Sequence, residues 1–351
     1  MKPLKISIVT PSFNQGEFLE ECIDSVLSQN YPNLEYIIMD GGSTDNSVEI
    51  IRKHEKYLTY WQSKPDGGQY AAIQDGFRRS TGEIMAWLNS DDKYHHHAFY
   101  KAAWLFSSRP EVEWLTGRTT LWNKKGELSH IFFEFLPVFS REKYLKKDYR
   151  DPSIQQESSF WRRTLWEKAG SRMRTDLVYA GDLDLWLRFF RYAQLYTIDT
   201  MLGGYRKHGN QKVELHMDLY YIEAEKVLDE EIELVRKGQF TDILPAPAPI
   251  SIDHNELRKY IDGVYDSAGH PVYKISDDSD YITDMLMQEY VKYKQHSNLE
   301  EVIKSLLVKL LRKFHIYNFY VRHEPRFSNL YHFFRKLFVS KDKTTGLGSK
   351  P

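Results

Sequence analysis

The stretch Ser7 to Ser47, "SIVTPSFNQGEFLEECIDSVLSQNYPNLEYIIMDGGSTDNS", changes period twice, and those changes decide the fold. A β-rich run from Ile6 to Thr10 gives way to Phe18, Leu19, Cys22, Ile23, Val26 and Leu27 at helical spacing. Asn14 is the expected N-cap, with Glu17 three residues on. Pro32 closes that segment. Tyr36 to Met39 then reads as a second strand ending on Asp40, and "GGSTDNS" supplies a turn and the cap of a helix reaching about Lys53. Downstream, Tyr57 to Trp61, a Gly-rich loop at Asp66 to Gly68, a helix through Arg79 and a strand from Glu83 to Leu88 continue the alternation. Such alternation predicts an α/β fold, a mostly parallel central sheet with helices on both faces. Ligands of such sheets bind at the carboxyl ends of the strands, where Thr10, Asp40 and the run Asn89 to Asp92 all fall.

The rest of the composition sets bounds. A chain of 351 residues can bury a sizeable core and has room for a main domain and a smaller second unit. Its net charge of -1 gives no global argument for nucleic acid. The single cysteine, Cys22, sits among apolar helical neighbours and reads as a packing residue, which excludes a disulfide framework. We see no signal-peptide pattern and no run of about 18 apolar residues, so the expected location is the cytosol or a membrane surface. No G-x-G-x-x-G follows a strand, which argues against a dehydrogenase.

"MAWLNSDDKY", Met85 to Tyr94, is apolar until it stops on Asn89, Ser90, Asp91 and Asp92. Adjacent carboxylates at a ligand-binding strand end repel and lose hydration. A divalent cation between them and an anionic ligand would relieve that cost, and oxygen ligands suit Mg²⁺ or Mn²⁺. A solvated Asp-Asp turn capping the next helix accounts for the same residues without a ligand.

Together, the Ser7 to Ser47 stretch and "GEIMAWLNSDD" resemble the nucleotide-sugar half of family 2 glycosyltransferases, inverting enzymes of the GT-A fold, over roughly Lys5 to Gln211. The resemblance implies a nucleoside-diphosphate-sugar donor, with UDP the expected nucleotide, contacted by Thr10, Pro11, Ser12, Asp40, Asp66, Gly67, Asn89 and Ser90. Asn89-Ser90-Asp91 matches the family's Asp-X-Asp motif, so Asp91, with Asp92 and His208 of "GGYRKHGNQ", is the implied holder of Mn²⁺ or Mg²⁺. "SIQQESSFWRRTLWEKAG" resembles the acceptor-lining segment, with Gln156, Glu157 and Ser158 at its turn. "YAGDLDLWLRFF" resembles the stretch whose first Asp is the catalytic base, here Asp182. Leu185, Trp186 and Phe189 behind it read as a helix held to the core, and a helix cap is the plainer role for Asp182.

An inverting transfer needs a base for the acceptor hydroxyl and stabilisation of the departing diphosphate. Asp182 and the Asp91 site would supply these, and no nucleophile for a covalent adduct stands out. A sugar nucleotidyltransferase would carry a basic triphosphate loop, whereas "TPSFNQGEF" has no basic residue. A noncatalytic binding module could dispense with Asp182. His95, His96 and His97 diverge as consecutive side chains and read as a solvated helix start.

Residues 1–211 are thus expected to be the catalytic domain and residues 212–351 a mainly helical C-terminal region. An acidic helix pattern runs to Gly238, and "LPAPAPIS" follows as an extended linker or edge. Between Lys304 and Lys341, basic residues interleave with aromatics, a pattern suited to an anionic membrane surface on the cytosolic face. The acceptor would then be a glycan or a lipid-linked sugar in surface polysaccharide synthesis.

Overall fold

The alternation of the first ninety positions is realised strand by strand in a computed structural model, which describes residues 3–131, 136–148 and 153–263. In chain order come β1 (Ile6–Ser12), α1 (Leu19–Leu27), β2 (Leu34–Asp40), α2 (Ser47–His54), β3 (Tyr60–Ser63), α3 (Gln69–Arg79) and β4 (Ile84–Trp87). There follow β5 (Lys93–Tyr94), α4 (Ala98–Ser108), β6 (Trp114–Thr116), β7 (Thr120–Asn123), β8 (Leu128–Ile131), α5 (Arg141–Leu145), β9 (Ser159–Arg162) and α6 (Arg163–Lys168). The described part closes with α7 (Gly181–Phe190), β10 (Leu195–Thr197), β11 (Gly203–Lys207), α8 (Lys212–Leu215), α9 (Met217–Arg236) and α10 (His254–Asp262).

The main sheet runs β10-β6-β9-β4-β1-β2-β3. Every pairing is parallel except those of β9, which is antiparallel to both β4 and β6. Because β1 lies between β2 and β4, the order reverses there, and a crevice opens beyond the carboxyl ends of β1 and β4. A smaller sheet, β5-β11-β7-β8, carries the chain after β4 back beside β11.

Strands buried on both faces read as continuous apolar runs, and Ile8, Val9, Ile37, Ile38 and Ile84 to Leu88 are all buried. Behind them, Trp87 stacks on Trp186 at 5.7 Å and 8°, while Trp161 meets both edge-on. Leu185, Trp186 and Phe189 thus pin α7 to the sheet, as their spacing predicts. Cys22 is buried, as its helical neighbours predict.

Three local expectations need correction. Asn14 does not cap α1, which begins at Leu19; it takes a left-handed conformation (φ 51°), and its Oδ1 accepts from the Thr44 backbone N–H at 2.8 Å. Asparagine tolerates that conformation, and here it ties the β1 loop to the β2 loop. Tyr57 lies in a 3₁₀ turn, Glu55–Tyr57, ahead of β3. His95 and His97 are buried, and only His96 is exposed. His95 packs on Trp122 and bonds the Thr120 hydroxyl at 2.9 Å, and His97, left-handed (φ 60°), is the residue just before α4, so this is a helix entry as expected but one packed into the protein instead of solvated.

Past residue 211, α9 packs on α7 and α5. Glu231 is buried with Arg141 and also pairs with Arg191, at 2.6 and 2.5 Å. Residues 241–249 lie in no helix or strand, and Ile250 bridges to Ile198. Among the described residues no helix is long and apolar enough to cross a membrane. The turn-rich stretch after Asp262 and the basic, aromatic segment Lys304 to Lys341 lie outside the described residues.

Candidate active site

A cleft of about 790 Å³ occupies the crevice at the strand ends. One side is made by Pro11 and Ser12 at the end of β1 with Phe13 just beyond it, Gly41 and Gly42 after β2, and Pro65, Asp66 and Gly68 before α3. Phe13 is 59% exposed, and a Cβ added at Gly41 would lie 3.3 Å from its ring, so the glycine leaves that aromatic wall free. Gly42 is left-handed (φ 84°), and a Cβ there would come within 3.0 Å of the Pro65 nitrogen. Asp66 is exposed and its Oδ1 accepts from the Gly68 N–H at 2.7 Å, which holds the loop containing Gly67. Thr10 and Asp40 sit beneath this surface. Thr10 contacts the Tyr36 hydroxyl at 3.1 Å, and the Asp40 carboxylate accepts from the Gly42 and Ser43 N–H groups and from the Ser43 and Ser63 hydroxyls.

The floor carries the acidic run. Asn89 accepts from Gln69 Nε2 at 2.8 Å and donates to Gln156 Oε1 at 3.2 Å and to Asp92 Oδ2 at 3.3 Å. Ser90 is buried. Asp92 is 1% exposed and accepts from the Arg206 N–H at 2.7 Å; burial, then the charges of Asp91 and Glu157, push its carboxyl well above the usual range. Asp91 faces the cleft with Oδ2 3.2 Å from His208 Nε2, whose ring lies 4.5 Å from Phe18. Beneath them the buried Arg206 donates to the Asp91 carbonyl at 2.6 Å and to Glu21 Oε2 at 2.6 Å, clamping the turn.

The far wall holds Gln156, Glu157, Tyr179, Asp182, Tyr205 and residues 210–213. Gln156 Nε2 donates to the Trp87 carbonyl at 2.6 Å. Burial raises the Glu157 carboxyl. Ser158 turns away from the cleft and accepts from the Gly117 N–H at 3.1 Å. Asp182 stands in the first turn of α7, one residue inside the helix, and its Oδ1 accepts from the Leu183 N–H at 2.8 Å. Burial pushes its carboxyl up to about 6, against hydrogen bonds that lower it.

The structure therefore brings Pro11, Ser12, Asp66, Asn89, Asp91, Asp92, Gln156, Glu157 and Asp182 onto one cleft, with His208 against Asp91. Thr10, Asp40, Gly67, Ser90 and Ser158 are not on its lining. Phe13, Gln69, Tyr70, Tyr179 and the clamp Arg206 escaped the sequence reading. The pair Gly203-Gly204 was a signal for the close packing of β11, since adjacent glycines in a strand mark close backbone approach. A Cβ at Gly203 would lie 2.0 Å from the Glu157 carbonyl oxygen. Among the described residues no group of three or more His, Cys, Asp or Glu side chains is arranged as a metal cluster.

Residues 7–169 match the model of Glycosyl transferase family 2. An uncharacterized glycosyltransferase of Rickettsia prowazekii (strain Madrid E) is 24% identical over 253 residues, covering 66% of this chain and 75% of the relative. The putative teichuronic acid biosynthesis glycosyltransferase TuaG of Bacillus subtilis (strain 168) is 36% identical over 98 residues, 26% of this chain and 38% of TuaG. An uncharacterized glycosyltransferase of Mycobacterium tuberculosis (strain H37Rv) is 38% identical over 90 residues, and the match spans about a third of its length, 34%. In fold, the chain is similar to S. aureus TarS 1–349 in complex with UDP-GlcNAc, with a TM-score of 0.53 at 16% identity over 89% of this chain and 87% of that one. The mostly parallel α/β sheet expected from the strand pattern is the one found, and so is the GT-A architecture implied by the family resemblance.

Proposed function

We propose, from the membership of residues 7–169 in glycosyl transferase family 2, that this glycosyltransferase moves a sugar from a nucleoside-diphosphate sugar to a hydroxyl of a cell-surface glycan or lipid-linked acceptor, by single displacement with inversion. The observation that carries the reading is that Asp91, 3.2 Å from His208, and Asp182, with its carboxyl raised to about 6, line or adjoin one cleft at the strand switch point.

The exposed Phe13 ring beside the Gly41-Gly42 turn suits a stacked nucleobase. UDP is the first candidate, supported by the UDP-GlcNAc bound to TarS. One carboxylate and one imidazole fit a Mn²⁺ or Mg²⁺ ion, which takes few protein ligands when it shares a diphosphate. Asp91 and His208 would hold it, and Asp92, buried and engaged by Arg206, would support the turn from behind. Such an ion neutralises charge on a departing diphosphate. On the far wall Asp182 takes the proton of the incoming hydroxyl, and its raised pKa makes it a stronger base than an exposed aspartate. Gln156 and Glu157 border the space left for that hydroxyl. Residues 1–211 carry the chemistry in this reading. Residues 212–351 support it and contribute acceptor or membrane contact on the cytosolic face.

Product analysis tests the proposal. The chain is incubated with a panel of UDP-, GDP- and dTDP-sugars and Mn²⁺, with lipid extract or water as acceptor. Release of free nucleoside diphosphate is expected; pyrophosphate released in a parallel incubation with nucleoside triphosphate and sugar 1-phosphate would point to nucleotidyl transfer, and no release in either incubation would point to a binding module.

A further inference from the structure

A carboxylate of α9, outside the segment matched by the family, fastens the loop that delivers Asp182. Glu223 is half-buried and accepts three consecutive backbone N–H groups. Its Oε2 takes those of Val178, Tyr179 and Ala180 at 3.1, 2.7 and 2.9 Å, and its Oε1 shares that of Val178 at 2.9 Å. The carbonyl side of the same segment is also held: Tyr70 donates its hydroxyl to the Tyr179 oxygen at 2.9 Å, and Lys212 donates Nζ to the Val178 oxygen at 2.7 Å. Gly181 follows directly, and a Cβ there would strike the Tyr70 ring at 2.6 Å. The backbone leading into Asp182 is thus tied on both its donor and its acceptor side, by α9, α8 and α3.

From this geometry we propose that Glu223 is a positioning residue for the reaction: it sets the height and direction of Asp182 through the 178–180 segment. The inference rests on the reading of Asp182 as the base. Three N–H groups converging on one carboxylate form a strong, directional anchor, because each bond is charge-assisted. Glu225, two residues on along α9, pairs instead with Lys147 at 2.6 Å. Glu223 also acts on the base through space. The titratable groups that face Asp182 are Tyr70 from α3, Glu157, Tyr144 from α5 and Glu223 from α9, while Lys212 faces Glu223. The Glu223 charge adds to the effect of burial in raising the Asp182 carboxyl.

The test compares Glu223→Gln, Glu223→Asp, Glu225→Gln and Asp182→Asn in the full chain, with the nucleotide sugar from the panel that gives the fastest release. Glu223→Gln puts an amide N–H₂ against backbone donors. Its kcat is expected to fall on the order of 10- to 100-fold, as for a reacting group displaced by about 1 Å. Its donor KM is expected to stay within about twofold, since no donor contact is lost. The acid limb of its pH profile should move to lower pH, whereas Glu223→Asp, which keeps the charge but shortens the reach, should lose kcat with the limb in place. Hydrogen–deuterium exchange on the free protein should show faster exchange of the 178–180 amides in Glu223→Gln. Glu225→Gln should match the parent in every readout. Parental kcat and pH profile in Glu223→Gln would overturn the proposal, as would equal losses in Glu223→Gln and Glu225→Gln, which would report a loosened helix. Full turnover by Asp182→Asn would instead overturn the assignment of the base.

Discussion

Replacing Asp182 by Asn should remove activity and add stability at once. The carboxyl is raised from an ordinary aspartate value to about 6, chiefly by burial. A group whose folded pKa lies above its unfolded one binds its proton more tightly in the native state. The stability it contributes is therefore fully present below the unfolded value near 4 and is lost as pH rises through about 6. The shift of about two units corresponds to roughly 3 kcal/mol, so at pH 7.5 the ionised Asp182 costs the fold up to about that much. Asparagine keeps an oxygen for the Leu183 N–H and carries no charge, so the variant should melt at equal or higher temperature at pH 7.5, with the gain vanishing near pH 4. Turnover should fall by roughly 10²- to 10⁴-fold, the usual contribution of a general base, with donor affinity unchanged. In the parent, kcat should drop about tenfold per pH unit below about 6, because only the ionised form accepts the proton. Calorimetric melts at pH 4.5 and 7.5, donor titration and a pH profile of nucleoside diphosphate release check all parts. A variant that turns over normally, or one that melts much lower at pH 7.5 than at pH 4.5 relative to the parent, would refute the reasoning.

Asp91→Asn should abolish the Mn²⁺-dependent part of nucleotide affinity, since an oxygen-ligand site loses one of its two protein donors. Isothermal titration of UDP with and without Mn²⁺ reads this, and equal affinities in parent and variant would count against the site. Gly203→Ala drives a methyl into the Glu157 carbonyl and should cost about 1–3 kcal/mol or more by overpacking, together with turnover. A parental urea midpoint would contradict the close approach of β11 to Glu157. If the segment Lys304 to Lys341 binds membrane, the full chain should co-sediment with phosphatidylserine vesicles in a salt-sensitive way. A chain ending near residue 300 should then not co-sediment, and equal binding of the two would remove that role.

Much of the fold was legible because its information is local. The Ser7 to Ser47 stretch changes period within a few residues, and buried parallel strands announce themselves as unbroken apolar runs such as Ile84 to Leu88. The reversed direction of β9 was not legible, since "SFWR" reads as a strand whichever way it runs and only its neighbours β4 and β6 decide. Asn14 and the histidines misled for a related reason. Their local chemistry fits a cap and a solvated turn, yet Thr44 and Trp122, distant in sequence, engage them instead.

The cleft shows the same division. Asn89, Asp91 and Asp182 stand in short motifs whose charge at a strand end or helix start is itself the signal. Arg206 and Glu223 do their work on residues 115 and 43 positions away, counted to the Asp91 carbonyl and the Ala180 amide, so no motif contains both partners. Asp40 and Thr10 mark strand ends correctly, but their side chains turn down into bonds with Ser43, Ser63 and Tyr36. Sequence locates a strand end without revealing which way its last side chain points.

Inverting transfer by one displacement is tested most directly by the anomer first released when water replaces the acceptor. With an α-linked donor such as UDP-N-acetylglucosamine, or the best α-linked donor of the panel, proton NMR in the first minutes of hydrolysis should show the β-anomer of the free sugar appearing with nucleoside diphosphate. Asp182→Asn should suppress both signals together. Release of the α-anomer would mean two displacements or another face of attack, and would contradict the account of a single base opposite the diphosphate.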